Sequence, residues 1–185
     1  DQHSHMLKIK IDPSDIKNTI DISKKIGKKR YALVLDVSGS MGSKATEMVD
    51  VLGQIEEELG KLQGIVEIKV LFFSHVLMEV SVGDIASVKD ASGYKGGTDF
   101  RAPLNEILSL CRQDQETENV VLFMTDGQSS YGWETVANEI KKQKNVKMMA
   151  VGYGENVSNR SLETIANEKQ NVYSFTGINS SDGLY

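Results

Sequence analysis

The first segment whose residues could do chemistry follows a short apolar run and carries three side-chain oxygen donors. Asp36, Ser38 and Ser40 alternate along the chain, and a glycine separates the two serines. Alternate residues of an extended or turning segment can point to the same side, so one carboxylate and two hydroxyls can converge here. Such oxygens are hard ligands of the kind that divalent cations such as Mg²⁺ prefer. The segment therefore predicts one part of a metal site.

Two later segments carry further oxygen donors. Thr98 and Asp99 follow a pair of glycines, and Asp126 stands before Gly127 directly after another apolar run. In open α/β sheets, ligands bind outside the carboxyl ends of the strands, where loops from different strands meet. Donors in all three segments can therefore share one ion. We expect Mg²⁺, with Mn²⁺ or Ca²⁺ as alternatives.

The elements that must position these loops alternate between strands and helices. Short apolar runs predict strands, and apolar residues spaced by three and four predict amphipathic helices. This alternation implies a doubly wound α/β fold, with a mostly parallel sheet and helices on both of its faces. Pro103 is expected as the first residue of one helix, and Ser158 as the N-cap of another. The strands are predicted at residues 31–36, 65–73, 76–82, 119–125, 146–151 and 172–175, and the helices at 45–62, 103–111, 133–140 and 159–166.

One connection is too short for a parallel return. Only Ser74 and His75 separate the second predicted strand from the third, whereas a parallel crossover needs a dozen or more residues. The third strand is therefore predicted to be antiparallel, at an edge of the sheet. His75 is interpreted as an exposed turn residue away from the metal-site loops.

The three polar segments together resemble the metal-ion-dependent adhesion site (MIDAS) of the von Willebrand factor type A and integrin inserted-domain family. That site consists of D-x-S-x-S, then a threonine, then an aspartate, from three separate loops. All five positions are filled in this order, within a resemblance that covers residues 30–178 and implies the family's Rossmann-like fold. The resemblance implies that Ser38, Ser40 and, in one loop state, Thr98 bind the metal directly. Asp36 and Asp126 would bind it directly or through water.

The resemblance also implies a function, which is metal-dependent binding of a protein partner and not catalysis. One coordination position would stay open for an Asp or Glu of the partner. Two alternatives stay open, a scaffold with a purely structural metal and a Mg²⁺-dependent phosphohydrolase with Asp36 as its nucleophile. The enzyme would need a second carboxylate close to Asp36 and a basic phosphate-binding residue nearby. Position 38 is a serine, and Lys44 and Lys95 fit no familiar pattern.

Residues beside the metal-site loops carry further expectations. Asp99 and Gly127 are interpreted as groups just outside the metal's own ligands, and the alternative for Asp99 is a cap on the helix that follows. Aromatic residues beside the loops are candidates for a partner-binding rim, since aromatic side chains favour interfaces, with core packing as the alternative. These aromatic residues are Tyr94, Phe100, Tyr131 and Trp133.

Composition fits one globular domain of 185 residues, of which 39% are hydrophobic and 25% charged. The net charge of -5 argues against a nucleic-acid partner. No apolar run approaches the ~18 residues that cross a bilayer, so membrane insertion is not expected. The lone Cys111 excludes a disulfide within the chain and is predicted to be a buried small hydrophobe.

The ends of the chain are interpreted separately from the domain at residues 30–185. Residues 1–6 look like a tag or cloning remnant, and residues 7–29 form a polar lead-in segment. With no visible signal peptide, a cytoplasmic location is expected, and an extracellular location is the alternative if the domain is excised from a longer chain. A final helix is expected after the last strand, although the sequence ends at Tyr185, only a few residues later.

Overall fold

The computed structural model describes residues 28–54, 56–63, 65–85, 96–129, 132–154 and 157–175. Within these ranges the strands are β1 (Lys29–Asp36), β2 (Glu67–Phe73), β3 (Leu77–Val80), β4 (Glu118–Thr125), β5 (Val146–Tyr153) and β6 (Val172–Phe175). They form one sheet in the order β3-β2-β1-β4-β5-β6. All neighbours pair in parallel except β3, which pairs antiparallel with β2 at the sheet edge. The predicted topology is confirmed.

Two strands differ in length from the prediction because of their places in the sheet. The edge strand β3 has one neighbour and pairs over only four residues, so it is shorter than the predicted 76–82. β5 lies between β4 and β6, and its last residues, Gly152 and Tyr153, pair with β6. These pairs extend β5 two residues beyond the predicted end.

The helices of the described ranges are α1 (Ser43–Gln54), α2 (Glu56–Leu62), α3 (Arg101–Gln113), α4 (Glu134–Lys141) and α5 (Asn159–Ile165), with a short 3₁₀ helix at Lys169–Asn171. The helix predicted at 45–62 corresponds to α1 and α2, which lie on either side of residue 55, a residue outside the described ranges.

The predicted start of α3 is wrong by two residues. The helix begins at Arg101, so Pro103 is its third residue and not its first. Proline is tolerated there because the first N–H groups of a helix have no partner within the helix. The N-cap prediction for α5 is confirmed, since the Ser158 side chain accepts a hydrogen bond from the backbone N–H of Ser161.

Each face of the sheet is covered by a separate apolar cluster, which confirms helices on both faces. One cluster packs α3, α4 and α5 against the sheet around Phe73, Phe123 and Leu104. The other packs α1 against the opposite face around Leu35, Phe72 and other residues. Cys111 is buried in the first cluster, as predicted.

Some predictions fall on residues outside the described ranges. Residues 1–27 include the predicted remnant and most of the lead-in, and residues 176–185 are the place expected for a final helix. None of the helices described here has the length and apolar character needed to cross a membrane.

Candidate metal site

Asp36 ends β1 as a fully buried carboxylate at the carboxyl edge of the sheet. Its Oδ1 accepts the backbone N–H of Ser38 at 2.9 Å, which turns the chain sharply after the strand. The turn brings the Ser38 and Ser40 hydroxyl oxygens within 3.1 Å of each other. Ser38 is buried and Ser40 exposed, so this first loop leads from the buried carboxylate to the surface.

The end of β4 is joined directly to this carboxylate. The Thr125 hydroxyl donates to Asp36 Oδ2 at 2.6 Å and accepts the N–H of Gly127 at 3.0 Å. Thr125 thereby fixes the turn that presents Asp126, a carboxylate that is only 5% exposed. Asp126 Oδ1 accepts the N–H of Gln128 at 3.2 Å. The first and third loops are therefore held together through a buried side-chain bond.

The loop that carries Thr98 is held mainly through its backbone. Gly39 of the first loop donates its N–H to the Gly96 carbonyl at 3.1 Å, and Asp99 donates its N–H to the Ser74 carbonyl at 2.9 Å. The Ser129 hydroxyl, on the third loop, donates to the Thr98 carbonyl at 3.2 Å. These bonds tie the second loop to the other two, and the Thr98 residue is half-buried.

The electrostatics of the site favour a cation. Burial raises the pKa of the Asp36 carboxyl from its ordinary 3.8 to about 6, the hydrogen bonds from Ser38 and Thr125 lower it, and the charge of Asp126 raises it again. A cation beside Asp36 and Asp126 would stabilise both carboxylates as anions.

The chemistry of the donors decides which kind of cation fits. No group of three or more His, Cys, Asp or Glu side chains that could hold a metal is found in the described part of the chain. The site instead combines two carboxylates with hydroxyls of Ser38, Ser40 and Thr98. Such an all-oxygen set fits Mg²⁺, Mn²⁺ or Ca²⁺.

Asp99 is engaged by its neighbour on α3. Its Oδ1 accepts the backbone N–H of Arg101 at 2.9 Å, so it satisfies an otherwise free donor of the first helical turn. The N-cap position of α3 is Phe100, so Asp99 lies one residue before the cap that was predicted for it. The Arg101 guanidinium also binds both carboxylate oxygens, at 2.9 and 2.7 Å. This hydrogen-bonded ion pair holds the pKa of the Asp99 carboxyl below its ordinary range. A role in orienting metal-bound water stays a prediction.

Gly127 contributes geometry and not a ligand atom. Its φ is +83°, and a Cβ there would lie 2.9 Å from the backbone nitrogen of Ser158. The same Ser158 N–H donates to the Asp126 carbonyl at 3.3 Å. A residue without a side chain at 127 therefore lets the start of α5 pack against the loop that presents Asp126.

The rim prediction is wrong for two of its four aromatic residues. Phe100 is fully buried and Trp133 is 5% exposed, and their rings meet edge to face with centroids 5.1 Å apart. Phe100 also packs against Phe73 and Phe123, so both residues belong to the core under the site. The other two rim candidates, Tyr94 and Tyr131, lie outside the described residues.

His75 is exposed, as predicted, but it is not remote from the metal-site loops. A Cβ on Gly96 would overlap the His75 ring, so the imidazole packs directly against the second loop. The hairpin prediction placed His75 in the right turn. His75 comes close to the second loop because the turn packs against Gly96 in the folded chain. The sequence around His75 alone does not predict this tertiary contact.

Sequence reasoning missed two residues that organise the site, Thr125 and Ser129. Thr125 was predicted only as the last strand residue, although a hydroxyl directly before a candidate ligand is a signal for a bond to that ligand's neighbours. Ser129 bridges the second and third loops, and its N–H partner is Phe100 at 3.0 Å. No spacing rule relates positions 98 and 129, so only the fold reveals this contact.

Comparison with known proteins gives one family. The sequence profile of the von Willebrand factor type A domain matches residues 32–184, a range that includes all five predicted metal ligands. A search of curated proteins gives no match.

Solved structures with the same fold come from diverse organisms. The manganese-loaded TRAP protein of Plasmodium vivax superposes with a TM-score of 0.65 at 19% identity, over 81% of this chain and 69% of that chain. Proximal thread matrix protein 1 from the mussel byssus, with a zinc-occupied MIDAS motif, gives 0.61 at 20% identity, over 80% and 41%.

A third solved structure, the pilus adhesin SpaC from Lactobacillus rhamnosus GG, gives a TM-score of 0.60 at 13% identity, over 82% of this chain and 28% of that chain. At such low identities these likenesses show the fold alone. The chain spans less than half the length of the mussel protein in each of the three structures of it that match.

Proposed function

Because the chain belongs to the von Willebrand factor type A domain family, we propose that it binds a protein partner through a divalent metal, which an acidic residue of the partner completes. One observation carries the proposal. Hydrogen bonds hold the three donor-bearing loops together at the carboxyl edge of β1 and β4, with the buried Asp36 bonded to Ser38 of its own loop and to Thr125 before the third loop.

The five donors divide the work of holding the ion. Asp36 and Asp126 supply the negative charge, directly or through water, and the hydroxyls of Ser38, Ser40 and Thr98 supply neutral oxygens. Because those hydroxyls carry no charge, the bound cation would keep enough positive charge to attract a carboxylate from outside. Ser40 is exposed and Thr98 half-buried, so this side of the site is open to solvent, where a carboxylate of a partner would reach the ion.

Magnesium is the ion we propose, with Mn²⁺ and Ca²⁺ as alternatives. Mg²⁺ is bound in proteins through one or two carboxylates together with water and other oxygens, which matches this donor set. Zinc, present in the mussel protein, more often takes His and Cys ligands. The manganese in the Plasmodium vivax protein supports Mn²⁺ as a practical probe for this site.

Binding is proposed in preference to phosphoryl hydrolysis because Asp36 is fully buried and engaged on both oxygens, by Ser38 and Thr125. A nucleophile needs a free oxygen facing its substrate. The adhesin among the similar folds supports the same class of function.

Two linked measurements test the proposal. Calorimetric titration with Mg²⁺ should show one site in the wild type and none in Asp126→Ala, whereas Glu139→Ala, which removes an acid from α4, should bind like the wild type. Peptide arrays should then show metal-dependent binding to Asp- or Glu-containing peptides and not to their Asn or Gln counterparts. Normal metal binding by Asp126→Ala, or peptide binding that persists in chelator, would contradict the proposal.

A further inference from the structure

The Ser129 side chain makes two hydrogen bonds to the backbone on either side of Asp99. Its hydroxyl donates to the Thr98 carbonyl at 3.2 Å and accepts the Phe100 N–H at 3.0 Å. Ser129 itself lies three residues after Asp126, on the third loop. A single hydroxyl therefore spans two of the loops that carry the proposed ligands.

From this geometry we propose that Ser129 is a positioning residue, which sets the place of Thr98 relative to Asp126 and so the affinity of the site for its metal. The inference rests on the proposed function, because it concerns the same ion. Ser129 itself need not touch the metal, since both of its bonds go to backbone atoms of the neighbouring loop.

The second loop needs such a bond because its own sequence does little to fix it. Gly96 and Gly97 precede Thr98, and an added Cβ at Gly97 would meet nothing within 4 Å. Glycine has wide backbone freedom, so a loop of this kind is held by its contacts and not by its local conformation. Thr98 lies between two anchored points, the Gly96 carbonyl and the Asp99 N–H.

The Ser129 bonds differ from those two anchors in what they connect. Gly39 and Ser74 hold the loop to the first loop and to the β2–β3 turn through backbone atoms. Ser129 holds it to the third loop, which carries the second carboxylate. Removing this hydroxyl should leave the other anchors in place, so the fold should persist while the Thr98 position relaxes. The Phe100 N–H would lose its acceptor at the same time.

Manganese affinity, measured by electron paramagnetic resonance of free Mn²⁺, tests the role. Groups that orient metal ligands typically change metal affinity roughly 10-fold to 100-fold when removed, and we expect about tenfold weaker binding by Ser129→Ala. Ser129→Thr keeps the hydroxyl and should restore most of the affinity. Ser129→Cys keeps the side-chain size but has only a weak hydrogen-bonding group, so it should also bind Mn²⁺ more weakly than the wild type. It replaces Ser129→Ala in the measurement if that variant proves too unstable to purify.

The matched control removes a hydroxyl far from the site. The Thr117 hydroxyl donates to Asp114 Oδ2 at 2.7 Å. Thr117 lies directly before β4, at the amino ends of the parallel strands, whereas the site lies at their carboxyl ends. Thr117→Val should lower thermal stability without changing Mn²⁺ affinity. This control separates a loss of stability, which any lost hydrogen bond can cause, from a loss of ligand position.

A double-mutant cycle with Thr98→Ala shows whether Ser129 acts through Thr98. Once Thr98 has lost its hydroxyl, Ser129→Ala should weaken Mn²⁺ binding no further. Wild-type affinity in folded Ser129→Ala and Ser129→Cys, or a full further loss in the Thr98→Ala background, would overturn the positioning role alone. No Mn²⁺ binding by the wild type would overturn the proposed function with it.

Discussion

Replacing Asp36 with asparagine should stabilise the domain when no metal is bound. The fully buried Asp36 carboxyl has a pKa of about 6 in the folded chain, against an ordinary 3.8, and burial is the largest cause. At a pH between these two pKa values, the Asp36 carboxyl is therefore protonated in the folded state and ionised in the unfolded chain. The stability this proton gives is fully present below about pH 4 and is lost as the pH rises through about 6.

The size of the effect follows from the shift. About two pKa units correspond to about 3 kcal/mol at neutral pH, at 1.36 kcal/mol per unit. Asparagine carries no charge, and its amide can still accept from the Ser38 N–H and donate to Thr125 Oγ1. The Thr125 hydroxyl then loses its acceptor, which costs about 1 kcal/mol. The net gain of about 2 kcal/mol predicts a melting temperature about 4–8 °C higher in a domain of this size.

Thermal denaturation in chelator at pH 7 and pH 4 measures this gain. Asp36→Asn should melt above the wild type at pH 7, and the difference should disappear near pH 4. Added Mg²⁺, at a hundred times its dissociation constant, should raise the free energy of unfolding of the wild type by about 2.7 kcal/mol. It should leave the free energy of unfolding of the variant unchanged.

Asp114→Asn is the control of opposite sign, because hydrogen bonds from Thr117 and the Glu116 N–H hold the pKa of the Asp114 carboxyl below its ordinary value. This variant should not melt above the wild type at pH 7. If Asp36→Asn melted at or below the wild type in chelator at pH 7, the electrostatic reasoning would be refuted.

Three further outcomes follow from single contacts. Ser158→Ala removes the N-cap of α5 and should cost about 1 kcal/mol in urea denaturation; an unchanged midpoint would contradict the cap. Gly127→Ala places a Cβ 2.9 Å from the Ser158 nitrogen at positive φ, so it should destabilise more than Gly132→Ala, where φ is +92° but nothing lies within 4 Å. Burial raises the pKa of the Cys111 thiol to about 11, so at pH 8 it should react with a disulfide reagent only after unfolding, and rapid native reaction would contradict this.

The sequence predicted those features that residue type and period encode. Apolar runs gave the six strands and their order along the chain, and the two-residue link at Ser74 and His75 gave the antiparallel edge. Hydroxyl and carboxylate donors after strand ends identified three loops that the structure brings together at the carboxyl edge of the sheet. Each of these signals is local, or follows from a general rule about sheet connections.

The failed predictions concern burial and contacts that depend on tertiary packing. Phe100 and Trp133 flank the site in sequence, but their rings pack under it against Phe73 and Phe123. Proximity along the chain to a surface loop does not decide which way a side chain points. A large aromatic ring gains more free energy in the core than at a rim, which favours the buried alternative.

What holds the candidate ligands in place is largely backbone, and this explains why the site's support was harder to predict than its donors. The Gly39 N–H, the Gly96 carbonyl and the Ser74 carbonyl act through atoms that every residue possesses. Their contacts therefore depend on loop geometry and leave no signature in residue type. Thr125 and Ser129 are exceptions, since their hydroxyls make side-chain bonds between the loops. Ser129 is where a substitution can separate ligand position from overall stability.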